Sequence, residues 1–152
     1  MAAQSTTVHA SAVLVGAYAV LIRGPSGCGK SRLALELLEA GRTGALLLTR
    51  LVADDRVYLE ASHGRLLVRP AAALAGLLEV RGVGLQRLQY EPAAVIGLVV
   101  DLAAEDARRL PDHLQRQAEI SGVLLPRLAV AAGAGALPAL LALIKSSRSS
   151  WI

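Results

Sequence analysis

The chain has 152 residues, a length suited to one domain, spanning 1–152, with a sizeable core. Hydrophobic residues make up 54% of it and aromatics only 3%, with no Phe, so Leu, Val, Ile and Ala must build the core and no base-stacking surface is expected. The formal net charge of +4 is spread out rather than clustered, which argues against nucleic acid as a partner, and the single cysteine, Cys28, excludes an intrachain disulfide.

The first residues, 1–7, lack the basic start and long apolar core of a signal peptide, so a cytoplasmic location is expected. Residues 8–15 read as a strand with His9 at its start, closed by a turn at Gly16-Ala17. Tyr18-Ala19-Val20-Leu21-Ile22 is short, apolar and β-branched, as a buried strand should be. Gly24-Pro25-Ser26-Gly27-Cys28-Gly29-Lys30-Ser31 then fits the phosphate-loop pattern G-x-x-x-x-G-K-[ST] at every fixed position. Residues 32–39 follow as a helix, with Leu33, Leu37 and Leu38 on one face and Gly41 near its end.

That order, strand then glycine loop then helix, suits a nucleotide. Gly27 and Gly29 can take positive φ and turn backbone N–H groups around a phosphate. The helix N-terminus adds partial positive charge. Lys30 would reach the β- and γ-phosphates, and Ser31 would ligate Mg²⁺. Cys28 stands at a variable position of the motif and is assigned no catalytic role.

Further on, 51–53 form a short apolar strand closed by Asp54-Asp55. Residues 56–60 and 65–69 alternate polar and apolar around Ser62-His63-Gly64, which predicts a β-hairpin. Pro70 opens an Ala/Leu-rich helix to about Leu77. The segment 78–84 is extended, with Glu79 and Arg81 on one side and glycines that permit a bend. Residues 94–102 form a strand containing Asp101, 105–110 a polar turn or helix, and 123–125 a last strand stopped by Pro126. The apolar stretch 128–144 contains Gly133, Gly135 and Pro138, and predicts a loop and then a buried helix over 137–145 rather than a membrane span. The polar tail 146–150 is expected to fray.

A phosphate-loop enzyme needs an acid near Mg²⁺ at the end of an apolar strand. Asp101 closes the better strand by pattern. Asp54-Asp55 offers a pair, in which one acid can hold metal while the other accepts a hydroxyl proton. The same pair also fits a turn into the hairpin. The chain has no Asn, which removes the guanine-reading motif of Ras-like GTPases and the catalytic loop of eukaryotic-type protein kinases.

His9, the loop 24–31, Leu51-Val52-Ala53-Asp54-Asp55-Arg56-Val57 and Leu78-Glu79-Val80-Arg81-Gly82-Val83-Gly84 stand in an order and spacing that resembles the catalytic domain of bacterial HPr kinase/phosphorylase. A few extra residues around 43–50 interrupt the match, which covers roughly residues 8–130. The resemblance is to the short alphaproteobacterial form, without an N-terminal domain. It implies an α/β fold of the HPr kinase/phosphoenolpyruvate carboxykinase type, with a mixed sheet around the phosphate loop. It also implies an ATP- and Mg²⁺-dependent kinase that phosphorylates a serine of HPr, the carrier of the phosphotransferase system. Many members reverse the reaction with inorganic phosphate, and members are typically hexamers.

By the same resemblance, Gly24, Pro25, Ser26, Gly27, Cys28, Gly29, Lys30 and Ser31 bind the nucleotide. Asp55 is the base and His9 its neighbour. Asp54 precedes it in the pair. Glu79 is the second metal ligand beside Ser31, and Arg81, followed by Gly82, holds phosphate or orients Glu79. Arg109, with Arg108 as the alternative, stabilises the transferring phosphoryl group. Asp101 then becomes a strand-end acid. Three departures stand out: the late loop 126–135 carries only Arg127 and no Asn, the C-terminal region is short and Ala/Leu-rich, and Arg32 stands where many members have Glu. Two other readings share the phosphate loop: an ATP-binding regulatory module for a phosphotransferase or two-component partner, and a small-molecule kinase. Asp55 with His9 and Glu79 favours the protein kinase, because a pure sensor needs no base aimed at a hydroxyl.

Overall fold

Strands β1 (Thr6–Val15) and β2 (Tyr18–Arg23) pair antiparallel across the Gly16-Ala17 turn, in register from Val15↔Tyr18 to Ala10↔Arg23. The computed structural model describes residues 6–146; the readings of residues 1–5 and of the tail 147–150 lie outside the described residues. Along β2 the side chains alternate with the period of two expected of a strand. Val20 and Ile22 enter one hydrophobic cluster, Ala19 and Leu21 another on the opposite face.

β2 is the middle of a five-strand layer. β3 (Thr49–Ala53) pairs antiparallel with the far edge of β1. The hairpin of β4 (Arg56–Ser62) and β5 (Arg65–Pro70) forms as the alternation required. After a 3₁₀ turn at Ala72–Leu74 come β6 (Leu77–Val80) and β7 (Gly84–Arg87), a separate two-stranded ribbon. β8 (Ala94–Asp101) runs parallel to β2. β9 (Gln117–Ile120) turns into β10 (Val123–Ala129), which runs parallel to β8. The early part of β1 pairs with β4, and β5 pairs with the start of β8. The chain of pairings β1–β4–β5–β8–β2 therefore returns to β1 and closes on itself.

The helices cover one face of the five-strand layer. α1 (Lys30–Arg42) buries Leu33, Ala34, Leu37 and Ala40; of the face read from its sequence, Leu33 and Leu37 are buried and Leu38 packs partly buried against the same cluster. Each of its two buried leucines contributes about 1.5–3 kcal/mol. α2 (Leu137–Ser146) adds Leu140 and Ile144 to the same cluster. The apolar stretch 128–144 is thus the end of β10, a turn and α2. Among the described residues, no helix is long and apolar enough to cross a membrane.

Three expectations need correction, and two strands go unread in the sequence. Residues 70–77 form only a 3₁₀ turn at Ala72–Leu74 and not the longer helix expected: the short Ala-rich run yields to Gly76, at φ 77°, where a Cβ would meet the Leu88 carbonyl and the Tyr90 ring at 3.0 Å. The polar segments that form β7 and β9 carry no strong apolar alternation, and each is a strand only by pairing with its neighbour. Pro126 does not stop the last strand. It opposes Gln117 of β9, and pairing with β8 begins one residue later at Arg127, so the missing N–H falls at the change of partner.

The third correction is Gly41, which lies inside α1 rather than just past its end. A Cβ at Gly41 would collide with the Thr49 side chain, so β3 approaches the helix there more closely than any other residue permits. We expect Gly41→Ala to destabilise the fold. Overpacking costs typically 1–3 kcal/mol, more than the roughly 1 kcal/mol gained in helix propensity. A thermal midpoint equal to or above wild type would show that Thr49 can withdraw.

Candidate active site

The glycine-rich loop 24–29 leaves β2 and enters α1 at its base. At Gly24 a Cβ would lie 2.5 Å from Cys28 Sγ and 3.0 Å from the Leu102 carbonyl oxygen, so the loop folds tightly onto the end of β8. Gly27 and Gly29 have φ of 80° and 102°, the conformations the loop reading requires. No side chain caps the first turn of α1. Its leading N–H groups therefore remain suited to an anion. Lys30 Nζ donates to the carbonyls of Gly24 (2.8 Å) and Pro25 (3.1 Å), folding the lysine across its own loop.

The loop faces a cleft of about 770 Å³. Ser26 to Ser31, His9, Asp55, Glu79 and Arg81 line it, together with the backbone-rich wall of residues 133–136. Gly24, Pro25, Asp54 and Gly82 are not part of the lining.

The two acids after β3 point to different tasks. The register between β1 and β3 shifts between Ala12 and Val13, and the chain turns sharply at once after β3. Arg56 N–H donates to the Asp54 carbonyl (2.9 Å), Ala10 N–H donates to the Asp55 carbonyl (3.2 Å), and Asp55 takes φ 72°. The turn sends Asp54 inward, where it is 5% exposed, and Asp55 outward. Asp54 accepts the Ser31 hydroxyl on both oxygens (2.8 and 2.9 Å), the Ser11 hydroxyl (2.6 Å) and Glu79 N–H (3.3 Å). Asp55 stands at the rim with its side chain 61% exposed, 3.4 Å from His9 Nδ1.

Glu79 is exposed on β6, and Arg81 follows in the turn to β7, where Gly82 takes φ 86°. Among the described residues, no three His, Cys, Asp or Glu side chains gather closely enough to hold a metal by themselves. Mg²⁺ in phosphoryl-transfer sites is held by one or two protein groups, with water and substrate phosphates completing its shell. Ser31 fits that role, since its single proton is committed to Asp54 and its lone pairs are left for a cation. Glu79, facing the same cleft, is a second oxygen donor.

Asp101 has no such freedom. Arg23 grips it through Nε (2.7 Å) and Nη2 (2.8 Å), and Arg127 Nε binds it at 2.5 Å. Burial pushes its carboxyl upward, but the hydrogen bonds from the two arginines outweigh burial and hold it below the usual carboxylate range. It is a strand-end acid, not a metal site. Arg127 continues to Asp106, binding both its oxygens (2.7 and 3.0 Å), and to the Gln115 carbonyl (3.1 Å). This ties the loop on either side of Arg108 and Arg109. Both arginines are exposed and neither lines the cleft, so the structure does not bring the expected phosphoryl-stabilising arginine to the site.

Sequence reasoning missed Ser11. The available signal was a hydroxyl inside the apolar run from Ala10 to Val15, at a position where alternation would place a core residue.

Comparison with known proteins identifies the family and the fold. Residues 1–142 match the family described as HPr Serine kinase C-terminal domain. An HPr kinase/phosphorylase of Streptococcus thermophilus (strain ATCC BAA-491 / LMD-9) is 37% identical over 139 residues, covering 84% of this chain and 43% of the relative. One from Streptococcus pneumoniae (strain Hungary19A-6) is 37% identical over 139 residues, covering 84% and 42%. The chain therefore spans less than half the length of these relatives. The solved Hpr(Ser) kinase/phosphatase of Coxiella burnetii superposes with a TM-score of 0.74 over 95% of this chain and 91% of that one, at 24% identity, which speaks to the fold. With the profile covering nearly all of the described residues and the mixed α/β fold matching, the chain belongs to the HPr serine kinase C-terminal domain family.

Proposed function

We propose that this chain, acting as one domain, transfers the γ-phosphoryl group of ATP to a serine hydroxyl of an HPr-like phosphocarrier. The observation that carries the reading is the split acid pair. Asp54 engages the Ser31 hydroxyl at the cleft floor, while Asp55 stands exposed at the rim beside His9. A nucleotide site alone needs the first of these but not the second.

In this reading the loop N–H groups and Lys30 bind the phosphates, with Lys30 exchanging its loop carbonyls for phosphate oxygens. Mg²⁺, held by Ser31 and Glu79, would supply neutralisation of charge on the transferring group. Asp55 accepts the serine proton as the hydroxyl oxygen attacks the γ-phosphorus and the bond to the bridging oxygen breaks, releasing ADP, and it returns the proton in the reverse direction. His9 orients Asp55. Arg81 binds phosphate at the cleft edge. No step is assigned to Arg108 or Arg109. The short alphaproteobacterial form, a hexamer and a cytoplasmic setting complete the proposal by resemblance.

The test is transfer from labelled ATP with Mg²⁺ to the HPr-like protein of the same organism. We expect label on a serine, and pyrophosphate release when inorganic phosphate is added to the labelled product. ATP binding without labelling of that protein would move a purely regulatory role ahead of the kinase.

A further inference from the structure

We propose that Ser11 is a positioning residue of this site, whose hydroxyl fixes Asp54 and, through Asp54, holds Ser31 in the orientation that a magnesium–nucleotide complex requires. The inference rests on the nucleotide reading of the cleft given above.

Ser11 is fully buried, in a strand whose neighbours Ala10, Ala12 and Val13 are also fully buried. A hydroxyl in such a place is unfavourable unless it is hydrogen-bonded. Its bond goes to Asp54 Oδ1 at 2.6 Å. Glu79 N–H engages the other oxygen at 3.3 Å. The carboxylate is thus fixed at both oxygens by donors other than Ser31, and it presents both to the Ser31 proton, at 2.8 and 2.9 Å. With that proton held, Ser31 can offer only lone pairs to a cation.

β1 explains why Ser11 and not another residue fills this role. Residues two apart on a strand share a face. His9 and Ser11 are two apart, and each serves one member of the acid pair: His9 meets Asp55, and Ser11 meets Asp54. One strand therefore sets both acids relative to each other. Without the Ser11 hydroxyl, Asp54 loses its shortest bond and can rotate away from Ser31. Groups that orient a metal-binding residue in this indirect way typically influence metal affinity by about 10–100-fold.

The experiment is equilibrium binding of a fluorescent ATP analogue to the full chain, titrated with Mg²⁺ and repeated in EDTA. Ser11→Ala is expected to raise the Mg²⁺ concentration at half-saturation by about tenfold and to leave metal-free nucleotide affinity unchanged. Ser11→Thr, which restores a hydroxyl, should return the Mg²⁺ dependence towards wild type. If Ser11→Ala loses its cooperative melt, Ser11→Cys, of similar volume and a weaker donor, is read in its place. An unchanged Mg²⁺ midpoint overturns the proposal, as does an equal loss of affinity with and without metal, which would mark a merely structural role. Failure of the wild type itself to bind the analogue with Mg²⁺ would reject the nucleotide reading and this inference together, and differs visibly from a failure confined to the variant.

Discussion

Asp55→Asn is expected to slow phosphoryl transfer by about 10²–10⁴-fold while nucleotide binding stays near wild type. The carboxylate is the group that accepts the serine proton in the proposed reaction, and an amide cannot take it. Asn is the right replacement for a conformational reason. Asp55 holds φ 72°, in the left-handed region where Asn is among the residues best tolerated and Ala is strained. Asp55→Ala would mix loss of the base with a change in the turn that also aims Asp54. The readout is single-turnover transfer at saturating ATP and acceptor, beside an independent nucleotide affinity. A variant that transfers within a few-fold of wild type would remove Asp55 from the chemistry.

The second large effect is on stability. Arg127→Met removes a guanidinium that is 13% exposed and joins Asp101, Asp106 and the Gln115 carbonyl. The contacts to Asp101, Asp106 and the Gln115 carbonyl are all lost, but Arg23 still grips Asp101 on its other side and the exposed Asp106 pair contributes little. Hydrogen bonds to charged groups are worth about 1.5–3 kcal/mol, and we expect a loss of that order in denaturant unfolding at neutral pH. The pH dependence gives a sharper check. The Asp101 carboxyl lies below its unfolded value because hydrogen bonds from Arg23 and Arg127 overcome burial. In the window between the folded and unfolded values, the unfolded chain binds more protons, so stability rises with pH. The contribution is complete above the unfolded carboxylate pKa near 3.9 and is lost as pH falls through the lowered folded value. The gap between wild type and Arg127→Met should therefore be widest near neutrality and shrink in acid. A gap that stays constant down to strongly acidic pH would assign Arg127 a packing role instead.

The sequence made some of this legible and not the rest, for physical reasons. β1, β2, α1 and the β4–β5 hairpin declare themselves through local periodicity and turn chemistry, which depend on neighbours in the chain. β7 and β9 depend on partners, and their own residues carry little signal. Two tasks for Asp54 and Asp55 could be read from the pair, but which of them turns inward could not be read from the residues themselves. Adjacent acids look alike in sequence, and it is the turn after β3, with Asp55 at φ 72°, that sends one in and one out. Asp101 closes the stronger apolar strand by pattern, yet two arginines distant in sequence occupy its oxygens. Arg109 shows the opposite failure: motif position suggested the site, but Arg127 fastens its loop elsewhere.

The closed circuit of strands also bears on how the molecule is made. β2 ends at the glycine loop, yet its parallel neighbour is β8, and Arg23 reaches its ion-pair partner across 78 positions of chain. Contacts of such sequence separation form late and slow folding, because a long loop must close before they contribute. During synthesis, a chain still short of Leu102 holds the whole motif 24–31 but lacks the strand against which Gly24 seats. Competence to hold a nucleotide would then appear as a late, cooperative event, well after the motif itself has left the ribosome.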